Sequence, residues 1–137
     1  MVNISYIIAP FFAYIVAGSI KFLINSIKNK RLAFKEIGLG GFPSTHNTIT
    51  STIASLIAFN EGIHSPALAV ALGLVVIVGL DSIGLRKHIE EHASIIAKYF
   101  PEIAIRKKLA HSRIEALFGI LLGIVCGWIL HIAKGIS

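Results

Sequence analysis

MVNISYIIAPFFAYIVAGSI, residues 1–20, carries no charged side chain, and its apolar character continues past Lys21 to about Ile27. A helix of that length spans a hydrocarbon core of roughly 30 Å, so the stretch predicts a first membrane-spanning helix. A cleaved secretory leader has a basic start and a shorter apolar core. Met1-Val2-Asn3 supplies no cation, and the segment is expected to stay in the protein.

Further apolar stretches predict helices from about Pro43 to Asn60, from Pro66 to about Leu85 and from Ser112 to about Ala133, four spans in all. Of 137 residues, 55% are hydrophobic and 15% charged, with a mean hydropathy of +0.78. This balance describes a chain whose solvent is largely lipid and which builds one domain, 1–137. Between Lys87 and Phe100, Ile89, Ala93, Ile96 and Phe100 recur at helical spacing opposite Glu90, Glu91 and Lys98, the pattern of an interfacial amphipathic helix. The expected fold class is therefore all-α: a polytopic membrane helical bundle of about four transmembrane helices plus one interfacial helix.

The formal net charge is +6, but the cations lie in two connecting segments without interleaved aromatics, which argues against nucleic acid. Lys28, Lys30, Arg31 and Lys35 occupy the first segment; Arg86, Lys87, Lys98, Arg106, Lys107 and Lys108 precede the last helix; Lys134 stands alone on the other side. The positive-inside rule then puts both chain ends outside the cytoplasm and the basic segments within it. The Asn60–Ser65 turn falls on the outer side, where His64 is expected to be solvated. Cys126 has no partner in the chain, which leaves neither a disulfide nor a cysteine zinc site, and reads as a small packing residue.

Two stripes concern packing. Ser44, Thr48, Ser51 and Ser55 follow helical spacing and should face protein, because lipid offers a hydroxyl no partner. Gly119, Gly123 and Gly127 repeat every four residues and clear one face of the last helix for close approach, within or between subunits.

The chemistry concentrates at Gly40-Gly41-Phe42-Pro43-Ser44-Thr45-His46, a glycine turn, two hydroxyls and a histidine at the start of a hydrophobic helix. A helix N-terminus presents unpaired N–H groups to an anion, glycine lets the backbone approach it, and histidine transfers a proton. Lys21, His46, Asp81, Arg86, His111 and Glu115 come from different helix ends, yet all lie toward the cytoplasmic side of the predicted topology. Asp81 sits deep in its helix and needs a partner. Arg86, five residues on, is about 140° around a regular helix, so the two pair only if Gly84 breaks the turn. Ser112-x-x-Glu115 has the form of a capping box, and Glu115 is within reach of His111 to fix its tautomer. His88-Ile89-Glu90-Glu91-His92 has the H-x-x-E-H order of one zinc peptidase class, but the pattern is short, no third ligand is evident, and no metal is expected.

Three ordered motifs resemble the divergent PAP2 family, small membrane relatives of the type-2 phosphatidic acid phosphatases and vanadium-dependent haloperoxidases. Gly40 to Asn47 resembles Gly-Gly-Met-Pro-Ser-Ser-His-Ser, Asp81 to Arg86 resembles Asp-x-x-Gly-Val-Arg, and Ala110 to Glu115 resembles Gly-His-x-Pro-x-Glu. Phe42, Thr45, Asn47, Ala110 and Arg113 depart from those patterns, and the superfamily's first motif has only a faint echo in Lys21 and Lys28-Asn29. The resemblance implies a histidine nucleophile at His111 oriented by Glu115, with His46 as general acid. Arg86, Arg113 and Lys21 would neutralise the phosphoryl group, Ser44, Thr45 and Gly41 would add hydrogen bonds, and Asp81 would orient its neighbours. No metal or other cofactor enters that scheme. The expected partner is a phosphorylated membrane lipid such as phosphatidylglycerol phosphate, phosphatidate or a polyprenyl phosphate, met at the cytoplasmic leaflet of a cell or inner membrane. A non-catalytic lipid-phosphate carrier is the competing expectation, and four helices form so thin a bundle that a homodimer is expected.

Overall fold

The computed structural model describes residues 4–30, 41–103 and 111–135. Five helices follow in order: α1 Ile4–Asn29, α2 Thr45–Glu61, α3 Pro66–Ile83, α4 Leu85–Tyr99 and α5 Arg113–Gly135. The described residues contain no strand. Gly40, Ala110, Arg31, Lys35 and Arg106, Lys107 and Lys108, all singled out from the sequence, lie outside the described residues.

Helices α1, α3 and α5 enclose α2, with α5 making the most extensive contact. The reason lies in the α2 sequence. Thr45, Asn47, Thr48, Thr50, Ser51, Thr52 and Ser55 are all buried, and lipid would leave their polar groups without partners. Two of these hydroxyls turn back onto the backbone of α2 itself, Thr48 Oγ1 donating to the Ser44 carbonyl at 2.9 Å and Thr52 Oγ1 to the Thr48 carbonyl at 2.7 Å, while Ser55 Oγ finds a partner that lipid cannot offer, the Gly123 carbonyl of α5 at 3.3 Å.

Small residues set how close the neighbours come. A β-carbon on Gly119 would stand 2.6 Å from the Ser44 carbonyl oxygen, one on Gly123 2.6 Å from that of Thr48, and one on Gly127 would collide with Ser55 Oγ. The glycine stripe of α5 therefore meets the hydroxyl stripe of α2 at backbone distance. Ala9, Ala13 and Ala17 are fully buried along one face of α1, and Ala54 and Ile57 pack with Leu68 and Ala71 of α3. Large apolar side chains point the other way, with Phe11 68%, Val70 76% and Leu80 69% exposed. In water that surface would be a severe liability; against hydrocarbon it is the expected exterior.

Three stretches, Ile4–Lys28, Pro66–Tyr99 and Arg113–Gly135, contain helices long and apolar enough to cross a membrane. The protein is thus an integral membrane protein with an all-helical fold. Helix α2, at 17 residues and with a buried polar face, is not among those three, and α1, α3 and α5 pack around it. Gly84 interrupts the chain between α3 and α4, and α4 buries only Ala93.

Candidate active site

The N-terminus of α2 is the meeting point. Gly41, at φ +78°, adopts a backbone conformation that side chains with a β-carbon rarely take, and it turns the chain toward Ser44. Ser44 occupies the cap position of α2, yet its hydroxyl makes no capping bond. Its backbone N–H donates instead to the Glu115 carbonyl at 3.2 Å, joining the start of α2 to the first turn of α5.

Lys21, fully buried in α1, donates to Thr45 Oγ1 at 3.2 Å. From the other side, an Arg86 terminal guanidinium nitrogen lies 3.4 Å from His46 Nε2. Guanidinium only donates, so Nε2 accepts and the neutral ring carries its proton on Nδ1. Arg86 Nε also approaches Asp81 Oδ2 at 3.4 Å, across the break at Gly84. Asp81 and Arg86 therefore pair in the way the sequence allowed only for an interrupted helix, and the carboxylate steers the guanidinium toward His46.

His111 is held by its backbone. Its N–H donates to the Ser82 carbonyl of α3 at 3.1 Å, and its buried ring places Nδ1 3.4 Å from Glu115 Oε2, without hydrogen-bond alignment. The capping box forms in full: Ser112 N–H donates to Glu115 Oε2 at 2.9 Å, and Glu115 N–H to Ser112 Oγ at 3.1 Å. Burial, followed by the charge of Lys21, pushes the His111 imidazole below its ordinary pKa, and Glu115 opposes that shift. His46 also acts on it electrostatically.

Two participants had no assigned role in the sequence. Asn47 Nδ2 donates to Ser82 Oγ at 3.4 Å, while Ser82 Oγ donates to the Gly79 carbonyl at 2.9 Å. Together with the His111–Ser82 bond they tie α2, α3 and the entry to α5 together directly beneath the histidines. Both are polar residues in apolar surroundings, which was the available signal. Arg113 is exposed on the first turn of α5, and among the described residues no hydrogen bond or ion pair joins it to this group.

Several buried polar atoms here lack partners: Ser44 Oγ, His46 Nδ1, Asn47 Oδ1 and His111 Nδ1. Such atoms are costly unless something else satisfies them, and the free N–H groups of the α2 N-terminus and two cations lie beside them. The donor set suits an oxyanion. The proposed zinc-peptidase residues are organised differently. His88 Nδ1 and Glu91 Oε2 lie 3.3 Å apart on an exposed face of α4, and the described residues contain no cluster of three or more side chains fit to hold a metal.

A sequence profile described as the divergent PAP2 family matches residues 2–126. The membrane protein YuiD of Bacillus subtilis (strain 168), itself described as uncharacterized, is 31% identical over 139 residues, covering 86% of this chain and 88% of its own. No solved structure matches the chain.

Proposed function

The chain belongs to the divergent PAP2 family, and from that premise we propose that it is a metal-independent phosphatase of phosphorylated membrane lipids. The observation that carries this reading is the convergence of Lys21, His46 and Arg86, from separate helices, and of His111, just ahead of α5, on one end of α2.

In this mechanism a phosphate monoester headgroup enters beside the α2 N-terminus. Lys21 and Arg86 neutralise its oxygens, and the hydroxyls of Ser44 and Thr45 with the backbone at Gly41 complete the cradle. With Nδ1 of His111 turned to Glu115, Nε2 is the atom that attacks phosphorus. The bond from phosphorus to the lipid oxygen breaks as His46, having taken up a second proton from solvent at Nε2 once Arg86 turns to the phosphate, gives that oxygen the proton, leaving a phosphohistidine and a lipid alcohol. Water then attacks phosphorus, His46 takes a proton from it, the bond from phosphorus to Nε2 of His111 breaks, and inorganic phosphate departs with His111 restored. A depressed His111 pKa serves this scheme, because only the neutral ring has a lone pair to give. Asp81 acts as a positioning residue through Arg86. Arg113, being exposed, would serve as a rim cation. The basic connecting segments favour the cytoplasmic leaflet as the working face.

Purified protein in mixed micelles, offered phosphatidate, phosphatidylglycerol phosphate and a polyprenyl phosphate, tests the reading. Phosphate release that His46→Ala and His111→Ala each abolish is the expected result. A second reading draws on the faint first motif: Lys28 is exposed, so of that pair only Lys21 reaches the cluster. Binding of the lipid phosphate with no release would make the protein a carrier.

A further inference from the structure

Helices α3 and α5 barely touch, and the small residues Ala54 and Ala58 of α2 form the floor between them. The result is a groove of about 320 Å³ walled by Leu72 and Val75 of α3 and by Ile120 and Ile124 of α5. Its floor runs from Ser51 to Phe59, about 12 Å of helix at roughly 1.5 Å per residue. Spread over that length, the volume leaves a cross-section of about 30 Å², room for one extended hydrocarbon chain.

Two features locate what fills it. Leu72 and Ile124 are 49% and 41% exposed, so the groove opens sideways and is continuous with the lipid-facing surface of the bundle. At its upper end Ser51, whose buried hydroxyl has no partner, lies one helical turn beyond Asn47. Asn47 in turn adjoins His46 and is bonded to Ser82, which holds His111. The groove thus begins directly beneath the polar cluster.

We infer that this groove receives one hydrocarbon chain of the phosphorylated lipid whose headgroup lies against His46, Arg86 and His111, which rests on the phosphate-binding reading of that cluster. A chain in the bilayer is already in apolar surroundings, so entering the groove brings no hydrophobic gain, only closer van der Waals contact. Selective occupancy therefore comes from the tether at the phosphate, and the signature of the arrangement is that the headgroup decides which lipid lies in the groove.

The test uses the full chain in phosphatidylcholine vesicles and two photoreactive probes with the same mid-chain diazirine, a phosphatidate and a phosphatidylcholine, with adducts mapped by peptide mass spectrometry. The expected result is labelling of Leu72, Val75, Ile120 or Ile124 by the phosphatidate probe above the phosphatidylcholine level, reversed by unlabelled phosphatidate. Leu72→Trp, which fills the groove from a half-exposed position, is expected to remove the difference. Equal labelling by both probes, labelling confined to outer positions such as Phe11 and Val70, or a difference that survives Leu72→Trp would each overturn the inference. Phosphate release is no part of this readout. Headgroup-dependent labelling of a protein that releases no phosphate would sustain the groove while removing the phosphatase reading.

Discussion

Ser44 and Glu115 share a backbone hydrogen bond, 3.2 Å from amide nitrogen to carbonyl oxygen, between segments 71 positions apart. It fixes two histidines at once, because His46 lies two residues beyond Ser44 and His111 four residues before Glu115. Close by, α2 and α5 touch at Gly119, where a β-carbon would stand 2.6 Å from the Ser44 carbonyl oxygen.

Gly119→Ala is accordingly expected to be damaging out of proportion to its size. The new methyl would meet the Ser44 carbonyl oxygen at 2.6 Å, and backbone cannot swing aside as a side chain can. Overpacking of this kind costs about 1–3 kcal/mol, so thermal unfolding in detergent should shift down and phosphate release should fall with it. Gly73→Ala, where a β-carbon meets nothing within 4 Å, is the matched control and should leave both unchanged.

Lys21→Met should separate stability from function. A cation with 0% exposure inside α1 is held at a desolvation cost, and apolar replacements of buried charges are often neutral or stabilising. The expected outcome is a melting temperature equal to or above that of the parent together with loss of lipid-phosphate turnover. A large drop in melting temperature would mean that Lys21 is chiefly a structural residue.

Asp81→Asn tests the steering of Arg86. The pair is partly exposed, with side chains 40% and 23% accessible, so stability should change by less than about 1 kcal/mol. Turnover should fall because the guanidinium no longer has a charged partner to set its direction. Arg86→Lys should be worse, since an ammonium cannot face the carboxylate and the phosphate as a planar fork does.

The sign of the pH response follows from His111. Above the ordinary histidine pKa of about 6.5 the ring is neutral in folded and unfolded chains alike, and it contributes no pH dependence. As pH falls through that value the unfolded chain takes up a proton before the folded one, whose pKa is lowered, so stability declines with acidification until the folded pKa is reached. Melting curves between pH 7.5 and 5, made shallower by His111→Asn, are the expected record. The acid limb of phosphate release should likewise lie below the usual histidine range, and Lys21→Met should raise it in whatever activity remains, by removing a cation that holds the ring neutral.

Much of the architecture was legible because lipid is an exacting solvent. The uncharged stretch through residue 20 called for a spanning helix, found as α1 from Ile4, and the hydroxyls of Ser44, Thr48, Ser51 and Ser55 had to turn inward. The Asp81–Arg86 geometry was also accessible, since the angle around a helix stated the condition and Gly84 met it. What stayed hidden depends on distances between helices rather than on periodicity. The Ser44–Glu115 bond joins backbone atoms, which have no sequence signature. Ser82 acts on His111 through its carbonyl, an atom every residue possesses. The gap between α3 and α5 exists because of how each leans on α2, and a hydropathy pattern contains no information about lean. Arg113, legible as a phosphate cation by position, proved to be exposed on the first turn of α5.

The enclosure of α2 also has a consequence for biogenesis. Its polar face is satisfied in part by α5, which leaves the ribosome more than fifty residues after α2, as the Ser55 bond to Gly123 illustrates. Until that helix arrives, a newly made chain carries an incompletely sheathed hydroxyl stripe. Translation arrested before residue 113 would therefore yield a product suited to quality-control proteolysis rather than a smaller working protein.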